Sequence, residues 1–299
     1  MTIGYIGLGN MGGALARRLL KQHPVVVYDA NRSAIERAIA SGATPAEDLA
    51  DLSRKCDVIF LCLPTSDHVR QVLFTEGGIV ANAKPGALVI DQTSGDPIAT
   101  RAMSNEAAAR DVVLVDAPVS GGPTGADAGT IAIMVGASLG HYERIFPVLQ
   151  SISPNIFHAG EVGAGHVAKL ANNLVSAAQR LVTMEAMALA VKNGVDANRI
   201  VDIMVAGAAR NFYLERLVKP HVLSGKLASG FTLGLLHKDV RQACQLGIDS
   251  SVTMMFGSLT RELLQMTINE NSPETQVYAT ALMMDKLAGT HVVPAEHSL

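Results

Sequence analysis

The sequence predicts an α/β protein in which a doubly wound parallel sheet comes first and an all-helical domain follows. Up to about residue 160, short runs rich in Val and Ile alternate with helix-like stretches, as in repeated βα units. A glycine-rich turn directly follows the first run, where such sheets bind ligands. After Gly160, segments dense in Ala, Leu, Met and charged residues take over and favour helix. We therefore predict one domain over residues 1–162 and a second over residues 163–299.

Six strands are expected in the first domain. Most of them are apolar throughout rather than alternating, which is typical of strands with helices on both faces of the sheet. The predicted strands are Ile3–Ile6, Val25–Tyr28, Val58–Leu63, Ala87–Ile90, Val112–Val115 and Ile131–Val135.

The second domain is predicted to open with a long helix, His166–Asn193. It is expected to end at Gly194, a residue suited to the left-handed position after a helix. At 1.5 Å per residue the helix is about 40 Å long. Because a single small domain cannot contain that length, we expect the helix to bridge the two halves or to lie in a subunit interface.

Composition excludes several classes of function. The 299 residues are 48% hydrophobic and 17% charged, with a formal net charge of −3, so a buried core is expected and a nucleic-acid surface is not. Continuous apolar runs stop after about six residues, below the ~20 of a membrane span, and no secretory leader is expected at the start. The three cysteines lack disulfide-framework or zinc spacing, and no metal site is predicted. We expect a cytoplasmic protein whose partners are a small molecule and further copies of itself.

The glycine-rich turn, residues 7–12, reads GLGNMG and opens a helix. Glycine is needed there because the chain turns tightly and lets a pyrophosphate approach backbone N–H groups at the helix start. Asp29 ends the second strand about 20 residues later, where a carboxylate accepts hydrogen bonds from the adenosine ribose. The pattern predicts a dinucleotide site that favours NAD because the carboxylate repels a 2′-phosphate. Arg32 leaves NADP possible, although an exposed helix-start residue explains it as well.

Two further segments are candidates for substrate chemistry. The loop DAPVSGGP, residues 116–123, leaves a strand with consecutive glycines whose amides can hold a carboxylate, or it is a plain glycine turn. In the long helix, polar side chains recur every three or four residues and share one face. They are His166, Lys169, Asn173, Ser176 and Arg180. This stripe is either the wet side of the helix or a functional face in which Lys169 donates a proton to a substrate oxygen and Asn173 orients it.

Four motifs in order, GLGNMG, DAPVSGG, GAGHVAKLANN and LHKDV, resemble the β-hydroxyacid dehydrogenases, the group of 3-hydroxyisobutyrate dehydrogenase, tartronate semialdehyde reductase and L-threonate dehydrogenase. The resemblance covers essentially the whole chain. It implies an N-terminal Rossmann domain, an all-α C-terminal domain and an active site in the cleft between them. It also implies reversible hydride transfer between a nicotinamide and a small carboxylic acid. The long helix and the Ala- and Met-rich second half predict a homodimer or homotetramer.

Carried over residue by residue, the resemblance implies a role for each matching position. Lys169 and Asn173 match the catalytic pair, and Ser120, Gly121 and Gly122 match the loop that holds the substrate carboxylate. The implied cofactor-binding residues are Gly7, Leu8, Gly9, Asn10, Met11, Gly12, Asp29, Leu63, Pro64, Ser94 and Lys238. Near Ser94 the chain reads DQTS where relatives often read DSST, so Thr93 shares or takes that role.

Single residues distinguish this family from two related groups of enzymes. The decarboxylating relative 6-phosphogluconate dehydrogenase normally has histidine where this chain has Asn172, and imine reductases usually replace the lysine at position 169. Decarboxylation is therefore rejected, and Lys169 favours hydroxyacid chemistry over imine reduction. A non-catalytic dinucleotide sensor on the same fold is disfavoured by the joint presence of Lys169, Asn173 and the Ser-Gly-Gly loop.

Overall fold

The computed structural model describes residues 1–228 and 230–298. The chain divides into two compact units, Met1–Lys169 and Leu170–Leu299. The predicted boundary between residues 162 and 163 lies at the start of the long helix, whereas the units divide inside that helix, seven residues later.

The first unit is built on a sheet of nine strands in the order β3-β2-β1-β4-β5-β6-β8-β7, with β9 paired to β8. All pairs from β3 to β6 are parallel, whereas β8 runs antiparallel to β6 and β7. The strands are β1 Ile3–Ile6, β2 Val25–Tyr28, β3 Thr44–Pro45, β4 Val58–Leu61, β5 Ala87–Asp91, β6 Val112–Asp116, β7 Val119–Ser120, β8 Ala132–Gly136 and β9 Ile156–Gly160. This confirms the predicted parallel doubly wound sheet.

Helices cover both faces of that sheet. The helices of this unit are α1 Asn10–Leu20, α2 Arg32–Ala40, α3 Leu49–Lys55, α4 Ser66–Phe74, α5 Ile79–Asn82, α6 Pro97–Ala108, α7 Gly122–Ala128 and α8 Leu139–Gln150. Neighbouring strand residues enter different cores: Phe60 of β4 packs in the cluster that contains α1, and Leu61 packs in the cluster that contains α3 and α4. Because both faces are buried, β4 is apolar at every position, and β5 and β6 are apolar up to the aspartate that ends each of them.

All six predicted strands are present; β1 and β2 have the predicted ends, and the ends of the other four differ by one or two residues. β4 stops at Leu61 rather than Leu63, and β8 is Ala132–Gly136 rather than Ile131–Val135. Sequence reasoning missed β3, β7 and β9. Two of these have only two residues each, and β9 is exposed over three of its five positions, so none carries a continuous apolar run.

The second unit is helical, as predicted. It contains most of α9 Ala164–Lys192, then α10 Ala197–Ala206, a π-helix Leu214–Val222, α11 Leu233–Asp249, α12 Met255–Glu270 and α13 Ala279–Ala288. Its core joins aliphatic and methionine side chains of α9, such as Leu181 and Met184, to Leu236 of α11, Leu264 of α12 and Met283 of α13.

Helix α9 matches the predicted long helix, although it begins two residues earlier and ends one residue earlier. Gly194 has φ +88°, a left-handed conformation that suits glycine just beyond a helix. An 18-residue window of α9 has mean hydropathy 1.3 and is 39% buried, so by length and composition alone the helix qualifies as a membrane span. The count of uninterrupted apolar runs missed this property. It is weak evidence for a membrane, because long core helices of soluble proteins share it.

Candidate functional site

In the glycine turn between β1 and α1, two glycines are enclosed by neighbouring backbone and one borders open space. A Cβ on Gly7, which has φ +92°, would lie 2.3 Å from the Cys62 carbonyl oxygen, and one on Gly12 would lie 1.9 Å from the Gly7 carbonyl oxygen. A Cβ on Gly9 would meet no atom within 4 Å. Packing therefore requires glycine at positions 7 and 12, whereas Gly9 leaves room beside exposed backbone at the start of α1.

Asp29 holds this turn in place. Its Oδ2 accepts a 2.5 Å hydrogen bond from the backbone N–H of Leu8, and its Oδ1 accepts one of 2.7 Å from the N–H of Asn31. Leu8 is buried, Asn10 is exposed and Met11 packs against the core. Each carboxylate oxygen has a second lone pair, so Asp29, which is half-buried, can still accept a ribose hydroxyl. Space at Gly9 together with this carboxylate fits the predicted dinucleotide.

Arg32 lies at the start of α2 and is exposed. Its side chain is 93% exposed and its Nε is 3.4 Å from Glu36 Oε1, one turn along the same helix. Of the two interpretations of Arg32, the surface residue fits this geometry.

A threonine joins the two other segments predicted to line the dinucleotide. The backbone N–H of Leu63 donates to Thr93 Oγ1 over 3.1 Å. Thr93 is buried, Leu63 and Ser94 are half-buried, and Pro64 is exposed. Thr93 thus connects the ends of β4 and β5, while Ser94 is the more accessible of the two hydroxyl residues.

The loop predicted to hold a carboxylate follows the short strand β7. Ser120, half-buried, ends β7; Gly121 has φ +139° and Gly122 has φ +70°. Both are conformations that residues with a Cβ rarely adopt. A Cβ on Gly122 would meet no atom within 4 Å, so its backbone borders open space.

Asp116, at the end of β6, fixes the start of α9. Its two oxygens accept hydrogen bonds from the backbone N–H groups of Gly163 (2.6 Å) and His166 (2.8 Å). Gly165 has to be glycine because a Cβ there would lie 2.3 Å from the Met134 carbonyl oxygen and 2.8 Å from Asp116 Oδ2. The glycines of the GAGH segment therefore let the helix start approach the sheet closely.

His166 ties the same helix start to the end of β5. Its Nε2–H donates to the Thr93 carbonyl oxygen over 2.9 Å, and its Nδ1 is 3.1 Å from Thr100 Oγ1. Asp91, the register partner of Asp116, is fully buried, with Oδ2 4.0 Å from His166 Nε2. Burial raises the pKa of Asp91, and the nearby imidazole works against that increase.

Four of the five residues of the polar stripe of α9 are buried, and the fifth, Ser176, is half-buried. His166, Lys169, Asn173 and Arg180 have exposed fractions of 0%, 8%, 7% and 6%. The apolar side chains Val175, Val182 and Leu189 of the same helix are instead 63%, 58% and 67% exposed. The interpretation of the stripe as the wet side of the helix is therefore wrong. Lys169 and Asn173, one turn apart, lie on the inward face.

Asp239 is a site residue that sequence reasoning missed. Its Oδ2 accepts a 2.6 Å hydrogen bond from Asn173 Nδ2, and its Oδ1 is 3.3 Å from Lys238 Nζ. Asp239 is 2% exposed, and the side chain of Lys238 is 14% exposed, so both residues are largely buried. The helical period of α11 was the available signal, because Asp239 falls in line with Leu236 and Val240.

Asp91 was also missed. Its signal was a carboxylate that directly follows an apolar strand, as Asp116 does on the adjacent strand. Within residues 1–228 and 230–298, no three His, Cys, Asp or Glu side chains form a group that could hold a metal ion.

Comparisons with known proteins agree with this geometry. Residues 2–160 match the model described as the NAD binding domain of 6-phosphogluconate dehydrogenase, and residues 163–283 match that of the NAD-binding of NADP-dependent 3-hydroxyisobutyrate dehydrogenase. The 2-(hydroxymethyl)glutarate dehydrogenase of Eubacterium barkeri is 35% identical over 89% of this chain and 88% of its own. The chain belongs to the β-hydroxyacid dehydrogenase family.

Two further members of the β-hydroxyacid dehydrogenase family extend the match. The NAD-dependent L-serine dehydrogenase of Pseudomonas aeruginosa is 35% identical over 96% of this chain and 99% of its own. The structure of Mycobacterium tuberculosis 3-hydroxyisobutyrate dehydrogenase with L-serine has a TM-score of 0.85 at 28% identity, covering 96% of this chain and 98% of the other. This protein is accordingly an NAD(P)-dependent oxidoreductase that transfers a hydride at the CH–OH carbon of a small hydroxyacid.

Proposed function

We propose that this β-hydroxyacid dehydrogenase acts on a small β-hydroxyacid or its semialdehyde with Lys169 as general acid and base. The observation that carries the assignment is the burial of Lys169 and Asn173 on the inward face of α9. Lysine is among the residue types least often buried, and here it lies one turn from a buried amide on a helix whose apolar residues are exposed. Buried polar and exposed apolar side chains on one helix are expected where the catalytic side chains of that helix face the protein interior.

The proton chemistry falls to Lys169. During oxidation its amine accepts the proton of the substrate hydroxyl as the carbon loses hydride; during reduction its ammonium returns a proton to the carbonyl oxygen. When bound, the nicotinamide supplies the hydride acceptor or donor. Asp116 and His166 keep this part of α9 fixed at the strand ends, which supports such a role because proton transfer needs defined positions.

Asn173 is proposed as the residue that orients the substrate oxygen. Its Nδ2 donates to buried Asp239, so the amide cannot rotate freely. Lys238, 3.3 Å from the same aspartate, is proposed to contact the nicotinamide end of the dinucleotide. Ser120 and the amides of Gly121 and Gly122 are proposed to hold the substrate carboxylate.

The remaining proposed cofactor residues lie around the glycine turn and the next two strand ends. Gly7, Gly9 and Gly12 shape the turn, with Leu8, Asn10 and Met11 between them. Asp29 is proposed to accept the ribose hydroxyls and thereby to favour NAD over NADP. Exposed Arg32, paired with Glu36, supports that preference.

The substrate class follows from chemistry that the relatives share. L-serine, 3-hydroxyisobutyrate and 2-(hydroxymethyl)glutarate, named for proteins similar to this one, each carry a hydroxymethyl carbon beside the carbon that bears a carboxylate. We propose an acid of this pattern, with tartronate semialdehyde reduction and L-threonate oxidation as alternatives within the same mechanism. A dinucleotide sensor without turnover is the alternative from another class.

A panel of initial rates at 340 nm tests the assignment. NAD⁺ and NADP⁺ are paired with 3-hydroxyisobutyrate, L-serine, 2-(hydroxymethyl)glutarate, glycerate and threonate, and the reverse reaction is run with tartronate and succinic semialdehydes. A kcat/KM above roughly 10⁴ M⁻¹s⁻¹ for one acid identifies the substrate class. NADH binding without turnover of any member favours the sensor.

We propose further that the protein is a cytoplasmic homodimer or homotetramer. The stripe of Val175, Val182 and Leu189 recurs every seven residues, and Met255 and Phe256 of α12 are 72% and 78% exposed. Apolar surface of this extent is typical of an interface, and all three cysteines are free thiols, which suits a reducing compartment. Light scattering of the purified protein tests the assembly, and a monomer at micromolar concentration contradicts it.

A further inference from the structure

Arg180 is a buried cation inside the helical unit. It lies on α9 with only 6% of its surface exposed. Within the part of the chain that the structure describes, its Nε and Nη1 atoms have no hydrogen-bond partner. Arginine in a protein interior normally pairs with a carboxylate or phosphate, so this guanidinium lacks the partner that its burial requires.

The surroundings of Arg180 are aromatic. Its Cζ lies 4.5 Å from the ring centroid of Tyr213 and 5.0 Å from that of Tyr278. Stacking on two rings offsets part of the cost of burying the charge, and the hydroxyls of Tyr213 and Tyr278 interact with the guanidinium. Its Nε and Nη1 atoms nevertheless have no acceptor in hydrogen-bond geometry among the described residues. The guanidinium therefore keeps two nitrogen donors, Nε and Nη1, without an acceptor.

Tyr213 adds a third donor beside these two nitrogens. It is 1% exposed, and the proton of its hydroxyl has no acceptor among the described residues. Burial raises the pKa of Tyr213 to about 12 while the charge of Arg180 acts in the opposite direction, so the hydroxyl keeps its proton at neutral pH. Buried donors are rarely left unmet in proteins, and three of them in one contact indicate an anionic ligand.

The place of Arg180 on α9 relates it to the proposed chemistry. It follows Asn173 by seven residues, which corresponds to the same helix face and about 10 Å along the axis. Long side chains on a helix lean toward its N-terminus, so the guanidinium is displaced toward the turn that holds Asn173. A short acid with an anionic group at each end spans such a gap.

We propose that Arg180 and Tyr213 form a subsite for a second carboxylate of the substrate, at the end opposite the reacting carbon. The inference rests on the proposed function, because it takes the reacting end to lie at Lys169 and Asn173. It narrows the substrate class to hydroxyacids with two carboxylates. An acid with one carboxylate leaves the three donors unmet.

Binding of non-reacting acids tests the subsite without turnover. Glutarate, with two carboxylates, and butyrate, with one, are titrated by calorimetry into the protein saturated with NADH. We expect the wild type to bind glutarate at least tenfold more tightly than butyrate. R180M replaces the cation by an apolar side chain of similar length and should remove that difference in affinity. R180K should keep part of the difference. Y213F should reduce the difference less than R180M does. R199M, which changes an exposed arginine of the same unit, serves as the control and should leave it unchanged.

Kinetics provide the second measurement. R180M should lower kcat/KM for 2-(hydroxymethyl)glutarate about 10²-fold, as expected for loss of a buried charge pair, and change that for 3-hydroxyisobutyrate less than threefold. It should also unfold at a higher temperature than the wild type in the absence of ligand, since an unpaired buried charge is removed.

The outcomes separate the subsite from the proposed function. Equal discrimination between glutarate and butyrate in wild type and R180M overturns the subsite, whichever hydroxyacid is oxidised. A lower unfolding temperature of R180M together with an equal loss for both hydroxyacids also overturns it, since Arg180 is then a structural residue. If glutarate binding depends on Arg180 and no hydroxyacid is turned over, the subsite stands and the proposed function fails.

Discussion

Two buried polar clusters, one in each unit, differ in how their hydrogen bonds are met. In the N-terminal unit, both oxygens of Asp116 accept backbone N–H groups, and His166 donates to the Thr93 carbonyl. In the C-terminal unit, Arg180 and Tyr213 retain donor atoms without partners among the described residues. Asp116 and His166 are paired within the protein and fix the start of α9, although Asp91 Oδ2 beside them has no hydrogen-bond partner among the described residues. We propose that the unmet donors of Arg180 and Tyr213 serve a ligand. Substitutions of residues in the two clusters should therefore have different effects on stability and ligand binding.

Substitution of Lys169 is expected to have the largest effect. Lys169 lies on α9 between His166 of the first cluster and Arg180 of the second. K169A should lower turnover by about 10² or more, since the proton donor and acceptor is lost, while NADH binding changes little. Stopped-flow rates and fluorescence titration of NADH measure the two quantities. K286A, at an exposed lysine, should behave as wild type; normal turnover in K169A contradicts the assigned role.

In the glycine turn, Gly12 is enclosed by backbone atoms whereas Gly9 borders open space, so substitutions at the two positions should have different effects. G9A places a methyl group in open space at φ −61°, so the unfolding temperature without ligand should not change, while the NADH Kd should rise about tenfold because the methyl group occupies the pyrophosphate position. G12A, with its Cβ at 1.9 Å from a carbonyl oxygen, should lower stability by about 1–3 kcal/mol. Unchanged NADH affinity in G9A would show that this turn is not the cofactor cradle.

Substitutions of Asp116 and Arg180 should change stability in opposite directions. D116N keeps the shape of the side chain but can accept only one of the two N–H groups at the start of α9, so it should lose about 1–3 kcal/mol. R180M should instead gain stability, because an unpaired buried charge is removed. Urea denaturation of both variants compares them, and a loss of equal size in both would break the distinction between the clusters.

The smallest effect concerns Asp91. Because burial raises its pKa in the folded protein, the folded state holds a proton that the unfolded state has released, and stability falls as pH rises through that window. Wild type should therefore lose stability relative to D91N as pH rises from about 4. Urea midpoints at several pH values measure the difference, with D67N at an exposed position as control. Parallel pH profiles of wild type and D91N would contradict it.

Periodicity and glycine spacing were sufficient to predict the parallel sheet and the long helix, because each depends on local pattern. The six predicted strands are short runs of mostly apolar residues, and α9 ends just before Gly194, which has a positive φ. The two-residue strands β3 and β7 and the mostly exposed strand β9 were missed because neighbouring strands rather than their own residues decide their conformation.

The sequence by itself determined the fold class, the dinucleotide turn and the family. Those features depend on residue types at fixed spacing: glycines that permit the turn, Asp29 after the second strand, and Lys169 and Asn173 one helical turn apart. Burial and pairing were decided only by the tertiary structure. Asp239 beside Asn173, Asp91 beside His166, and Arg180 between two tyrosines are separated by tens of residues in the chain, and no local pattern fixes which buried donor finds an acceptor.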